Sequence, residues 1–367
     1  MGDSLRWRLY TGGHLGRILL SQLPVTAITC AQDGSIWVAL DHIITIYRQG
    51  RWAYSFTCPP QLNNGYPIEF ICWWQNALWI GNHGLWRFQD DRLELIAVLP
   101  EDRVLALSCT NTKQLIVAFE QAGIWYTEEQ QQWVSVDFPD GYERLLAYTS
   151  DMLGNLWGLF QGKRRDMTQS QSLHYLTTVY SNRTWTTDQQ WLYSYSMRHA
   201  VWTKHSPIPK PSRVMNISID SSSAIWISTE GDGIWQYKNT TWQHMVPHAR
   251  QRAVRDLPSK YVIGLYSDHY ARTWSVHLRN IELGVYESGV WYTVFIAPKD
   301  TAIPEKEPTI WIPEHTNASF YDMEHERIWI GTGGGEVGWI NVTPNNQLVP
   351  PSTTTNYEAQ LIEMHVL

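Results

Sequence analysis

The side chains from which this sequence could build a reacting or ligand-binding site are His83, Glu120, Glu230, Asp232, His277 and Glu336. A neutral imidazole can ligate a metal or take a proton, and a carboxylate can do either. Arg164, Arg165 and Arg279 add fixed positive charge for contact with a ligand or partner. Trp185 offers a ring face for stacking on a sugar or a cation. These residues lie far apart along the chain, so any site depends on the elements that carry them.

The local motifs of common enzymes are missing. The sequence has no HExxH, no GxSxG, no GxxxxGK followed by Ser or Thr, and no GxGxxG opening a helix. Gly331-Thr332-Gly333-Gly334-Gly335 is glycine-rich but joins two strand-like segments, so it reads as a tight turn with positive φ rather than a phosphate cradle. The 13 histidines show no ligand spacing, and for each the plain reading is a surface or hydrogen-bonded ring. The 4 cysteines (Cys30, Cys58, Cys72, Cys109) form no CxxC pair. No metal or other cofactor is expected.

Composition narrows the class. A net charge of -7 argues against duplex nucleic acid or an anionic membrane as the main partner. Aromatic residues make up 13% of the chain, with 21 Trp among 367 residues, enough to bury a large core. No apolar run is long enough to cross a membrane as a helix, and the first residues lack the apolar stretch of a secretory signal. Cytoplasmic residence is the expectation.

Internal repeats dominate the pattern. An apolar-Trp-apolar strand recurs at Trp37, Trp79, Trp157, Trp226, Trp274 and Trp329, with Ile116 in the same role. Seven residues before these anchors stand Cys30, Cys72, Cys109, Ser150, Ile219, Ser267 and Asp322, which suggests one inner-strand position repeated. On that register the three cysteines Cys30, Cys72 and Cys109 are equivalent small core residues. Third strands follow at Gly84-Leu85-Trp86, Gly123-Ile124-Trp125, Gly233-Ile234-Trp235 and Gly284-Val285-Tyr286. Fourth strands begin at Trp52, Trp133, Trp202, Trp242 and Trp291. Four short strands per repeat of about 40–50 residues is the pattern of a propeller blade. The expected fold is therefore all-β: one seven-bladed β-propeller over 1–367, with eight blades as the alternative.

Asp33-Gly34-Ser35-Ile36-Trp37-Val38-Ala39, Ala77 to Trp86, Ala224 to Trp235 and Arg327 to Gly335 resemble the two-component regulator propeller repeat. The resemblance covers nearly the whole chain; Ile116 in place of Trp and the weak repeat at Trp274 depart from it. It implies a propeller of the kind that often forms a sensory region ahead of a membrane helix and a kinase. This sequence shows neither, so the output is expected to pass through a separate protein partner, with a small molecule at the central channel as the other option. Streptogramin lyases look similar in repeat. That resemblance implies a metal-dependent enzyme built on His and Glu at the channel mouth, for which His83, Glu120, Glu230 and His277 are the candidates. A carbohydrate-binding ring is the third reading, but it predicts equivalent pockets in each blade, and the loop residues differ from blade to blade.

Closure is assigned to Leu5-Arg6-Trp7-Arg8-Leu9-Tyr10, as the outer strand of the last blade, because the last repeat runs into Pro344, Pro350 and Pro351. The tail 352–367 has no assigned place; it could pair at the closure or lie across a face. In a propeller the loops between strands two and three open on the same end as the loops into the next blade, where binding sites usually gather. His83, Glu120, Glu230, Asp232, His277, Arg279 and Glu336 fall there. So does an insertion at 161–189 in the fourth repeat, carrying Arg164, Arg165 and Trp185. The expected activity is non-enzymatic: ligand sensing or protein interaction.

Overall fold

The computed structural model describes residues 23–366, apart from short stretches and the segments 163–189, 248–255, 299–315 and 343–360. Its strands form seven blades of four. Blade 1 is β1 (Val25–Cys30), β2 (Ile36–Leu40), β3 (Ile43–Arg48) and β4 (Arg51–Thr57). Blade 2 is β5 (Phe70–Trp74), β6 (Ala77–Asn82), β7 (Gly84–Gln89) and β8 (Arg92–Leu95). Blade 3 is β9 (Val104–Cys109), β10 (Leu115–Phe119), β11 (Ile124–Thr127) and β12 (Trp133–Val136). Blade 4 is β13 (Tyr142–Ser150), β14 (Leu156–Gly162), β15 (Gln190–Ser196) and β16 (Val201–Pro207). Blade 5 is β17 (Val214–Ile219), β18 (Ile225–Thr229), β19 (Ile234–Lys238) and β20 (Thr241–Met245). Blade 6 is β21 (Val262–Ser267), β22 (Thr273–His277), β23 (Glu282–Glu287) and β24 (Val290–Pro298). Blade 7 is β25 (Thr316–Asp322), β26 (Arg327–Thr332), β27 (Val337–Asn341) and, from the end of the chain, β28 (Leu361–Val366).

Closure departs from the sequence reading. The place beside β27 is taken by β28, not by residues 5–10, which lie outside the described residues. β28 pairs antiparallel with β27 and parallel with β24, so blades 6 and 7 form one eight-stranded sheet. The tail is a better outer strand than a proline-rich continuation, because every residue of Leu361–Val366 keeps its N–H.

The second strand of each blade is the core. Ile36–Leu40, Leu115–Phe119, Ile225–Thr229 and Thr273–His277 are buried at every position. A strand flanked by two neighbours and covered by adjacent blades has no solvent face, so it reads as a continuous apolar run rather than an alternation. The anchor indoles sit there: Trp226 and Trp274 are 0% exposed, and Trp329 is 2%.

The register is less uniform than a constant offset of seven. Trp37, Ile116, Trp157, Trp226 and Trp274 pair with Thr29, Ser108, Thr149, Ser218 and Tyr266, each eight residues back. Trp79 pairs with Cys72, seven back, and Trp329 with Phe320, nine back. The cause is turn length. Blade 2 turns on Gln75 and Asn76, both left-handed (φ 48 and 59), which is the two-residue hairpin geometry. Cys30 and Cys109 therefore share a position, and Cys72 stands one step away from it.

Carboxylates shape the first turns. Asp220 Oδ1 accepts the backbone N–H groups of Ser222 and Ala224, while Oδ2 accepts the Trp226 indole N–H at 2.8 Å. Asp268 repeats the arrangement with Tyr270, Arg272 and the Trp274 indole, again at 2.8 Å. One side chain thus ties the turn to the anchor of its own blade. Blades are joined through their inner strands: Tyr148 Oη lies 2.7 Å from Ser108 Oγ, and Tyr266 Oη lies 2.8 Å from Ser319 Oγ.

Candidate functional site

Because each blade is a meander, its turns 1–2 and 3–4 share one end of the ring, and its 2–3 and blade-to-blade connections share the other. The second end carries the sequence-predicted residues that are described, and two ion pairs gather there around blade 5. Arg213, arriving from blade 4, donates to Glu230 Oε2, and Lys210 Nζ lies 2.5 Å from Asp232 Oδ1. Asp232 also accepts the Trp235 indole N–H at 3.2 Å, and its backbone oxygen lies 2.7 Å from His244 Nε2. The His244 ring stacks on Trp235, with centroids 4.0 Å apart. Gly231 and Gly233 both donate backbone N–H to the Lys260 oxygen, so the loop entering blade 6 is fastened to the same turn.

Exposure sorts these partners. The Lys210 and Arg213 side chains are 65% and 59% exposed, against 12% and 29% for Asp232 and Glu230. Exposed pairs of this kind contribute only about 0–1 kcal/mol to stability. Their effect is to set a polar, charged rim between blades 4 and 6.

His277 does not reach that rim. It closes β22 with 0% exposure, its Nε2 2.9 Å from Ser275 Oγ and its Nδ1 without a hydrogen-bond partner. Burial drives its pKa down to about 3, so the ring stays neutral. The expectation of a loop-end ligand at His277 is corrected: as the last residue of a fully enclosed strand, it belongs to the core. His83 is half-buried, bridges to Arg103 through the backbone and accepts the Trp86 indole N–H on its carbonyl at 3.2 Å. Glu120 is half-buried beside it in the ring order, its N–H bonded to the Arg103 oxygen. Asp102 Oδ2 receives the N–H groups of Gln121 and Ala122. Arg164, Arg165, Trp185, Arg279 and Glu336 lie outside the described residues. The glycine-rich run was also misread at its start. Gly331 is a strand residue of β26, and a Cβ there would lie 2.3 Å from Val25 Cγ1, so the small residue serves the approach of blade 1.

Two features of the opposite end were not anticipated. A cleft of about 280 Å³ lies between blades 1 and 2, lined by Asp33, Arg48, Trp73 and Asn76 over the stacked rings of Trp37 and Trp73. Arg48 Nη2 lies 3.2 Å from Asp33 Oδ2 at its edge. The second feature is a close set of Cys30, Asp322 and His325. The D-x-x-H spacing of Asp322 and His325 was the available signal, but it gives no hint of Cys30 nearly three hundred residues earlier.

No family model matches the sequence, and no curated protein is significantly similar to it. Solved structures match in fold. A catalytically inactive virginiamycin B lyase from Staphylococcus aureus, with quinupristin, aligns at a TM-score of 0.59 and 11% identity, covering 92% of this chain and 99% of that one. YCF48 bound to D1 peptide aligns at 0.55 and 12% identity over 93% and 98% of the two chains. The extracellular domain of BT4673 from B. thetaiotaomicron aligns at 0.50 and 13% identity over 86% and 45%.

The ring is a seven-bladed β-propeller, and the structures it resembles include a lyase, a one component system's extracellular domain and a peptide-bound protein. At these identities the likeness extends to the fold alone, and function has to be argued from the residues.

Proposed function

We propose that this chain is a non-enzymatic interaction or sensing propeller that acts through a separate protein docked on the 2–3 loop end, within the cytoplasm. The observation that carries the reading is the state of the lyase-type residues. His277 is sealed in the core and Glu230 is held by Arg213, so two of the four groups that acid–base or metal chemistry would require are already engaged. The same end presents Lys210 and Arg213 to solvent beside Lys260 and Tyr261. Mixed charge next to an aromatic ring suits the rim of a protein–protein interface. Four free cysteines are at home in a reducing compartment.

The test is affinity purification from the native host with the intact chain and with a Lys210→Glu/Arg213→Glu double variant. A stoichiometric protein that is captured by the first and lost with the second is the expected result. A parallel incubation with quinupristin is expected to leave it unaltered. Turnover that stops with Glu230→Gln would replace this reading with the enzymatic one, and capture of the same protein by both chains would remove the proposed face.

A further inference from the structure

The seam between blades 7 and 1, like those between blades 1 to 6, is closed by side chains rather than by a shared strand. Among the described residues no strand is shared across it; β1 packs on β25 and β26 through side chains. Val25, Ile28, Ile36, Val38 and Leu40 meet Ala318, Trp329 and Val337 along its apolar part. At the end formed by the 1–2 turns the seam becomes polar. There Cys30 closes β1, Asp322 closes β25 and His325 stands in the turn that follows, with one ligand atom from each within 4.8 Å of the others.

We propose that Cys30, Asp322 and His325 form a site for a zinc-class divalent cation, which ties the first blade to the last. Thiolate, imidazole and carboxylate together select a borderline-soft ion over calcium or magnesium, and three protein ligands leave a fourth position for solvent. Ligand atoms around tetrahedral zinc lie roughly 3.5 Å apart. His325, on a turn and with 34% of its side chain exposed, can supply the closure.

An independent observation marks Asp322 as diverted. Arg327 pairs with Asp322 just as Ala224 faces Asp220 and Arg272 faces Asp268, so the three aspartates are equivalent. In blades 5 and 6 that carboxylate accepts the anchor indole N–H. In blade 7 it turns to His325, with Nδ1 2.9 Å from Oδ2 and the backbone N–H 3.2 Å from Oδ1. The Trp329 Nε1, buried in a residue 2% exposed, is left without an acceptor. Forgoing a buried hydrogen bond costs stability, and a carboxylate turned instead toward His325 and Cys30, where a cation can be shared, accounts for it. Burial, then the charge of Asp322 and that of Glu324, push the Cys30 thiol up, with Arg327 opposing. The same negative surroundings favour a cation, which on binding displaces the thiol proton.

Cobalt(II) titrated into the full chain reads the site directly. One equivalent is expected to give a thiolate-to-cobalt charge-transfer band that Cys30→Ala abolishes and that Cys109→Ala, at the same strand position of blade 3, retains. His325→Ala is expected to weaken binding by more than about tenfold. Zinc should raise the melting temperature of the wild-type chain and of Cys109→Ala, but not of the other two variants. The proposal is overturned if no band forms, if the band survives in Cys30→Ala, or if His325→Ala binds as well as wild type. Should Cys30→Ala not fold, His325→Ala decides, since its side chain lies on a half-open turn.

Discussion

His277 makes no contact with solvent, and its environment has a measurable consequence. Its folded pKa is lowered from 6.5 to about 3. Between those values the unfolded chain binds a proton that the folded chain refuses, so stability rises with pH across that window and falls on acidification. From pH 7 to pH 5 this one group is expected to remove about 2 kcal/mol, at roughly 1.4 kcal/mol per unit below 6.5. Urea unfolding at the two pH values measures it, and His277→Gln should flatten the dependence. Nothing in TWSVH distinguishes a core histidine from one on a loop, because the strand ends at that residue and side-chain direction there depends on what covers it. Asp268 and Arg272, with side chains 0% and 2% exposed, were equally hidden: S-D-H-Y-A-R reads as an ordinary polar turn. Burying both charges is tolerable only because each finds several partners, the Trp274 indole N–H among them.

At the scale of elements, turn chemistry decides what was legible. The anchors, third strands and Trp-led fourth strands stand out because aromatic and β-branched residues recur at blade spacing. Turn lengths do not stand out, since left-handed positions here are filled by Gln75, Asn76, Asp90, Asp91, Asn239 and Thr240 as well as glycine. That is why a fixed offset misplaced Cys72 and Asp322. Glycine identity is dictated more strictly where a third strand begins. Gly233 has φ +72, and a Cβ would sit 2.2 Å from the Met245 carbonyl oxygen. Gly289 has φ +87 with nothing within 4 Å. Gly289→Ala is expected to cost about 1–2 kcal/mol from the left-handed backbone alone. Gly233→Ala should cost clearly more, because the collision is with backbone, and denaturant midpoints at unchanged slope would show the difference.

Across the whole molecule the number of blades followed from counting anchors, whereas the closing strand did not. Residues 5–10 and 361–366 are both short apolar-rich segments near a chain end, and only the pairing partner separates them. Removing residues 357–367 deletes β28 and bares the edges of β24 and β27 together. Unpaired edges recruit one another, so the truncated chain is expected to self-associate. Light scattering coupled to size exclusion would report it, and a monodisperse monomer would argue against the strand's role.

The seam carries one more implication. Blades 1 to 5 are each a contiguous stretch of sequence, and among the described residues nothing is threaded between blade 7 and blade 1. Ring size is then a matter of how many wedges fit, not of how the backbone is laced. Duplicating or deleting one segment of about 45 residues would leave every remaining pairing intact and alter only the angle between neighbours. A gene of this design can change its symmetry in a single recombination event, and the side chains at the seam are the ones that would have to adapt.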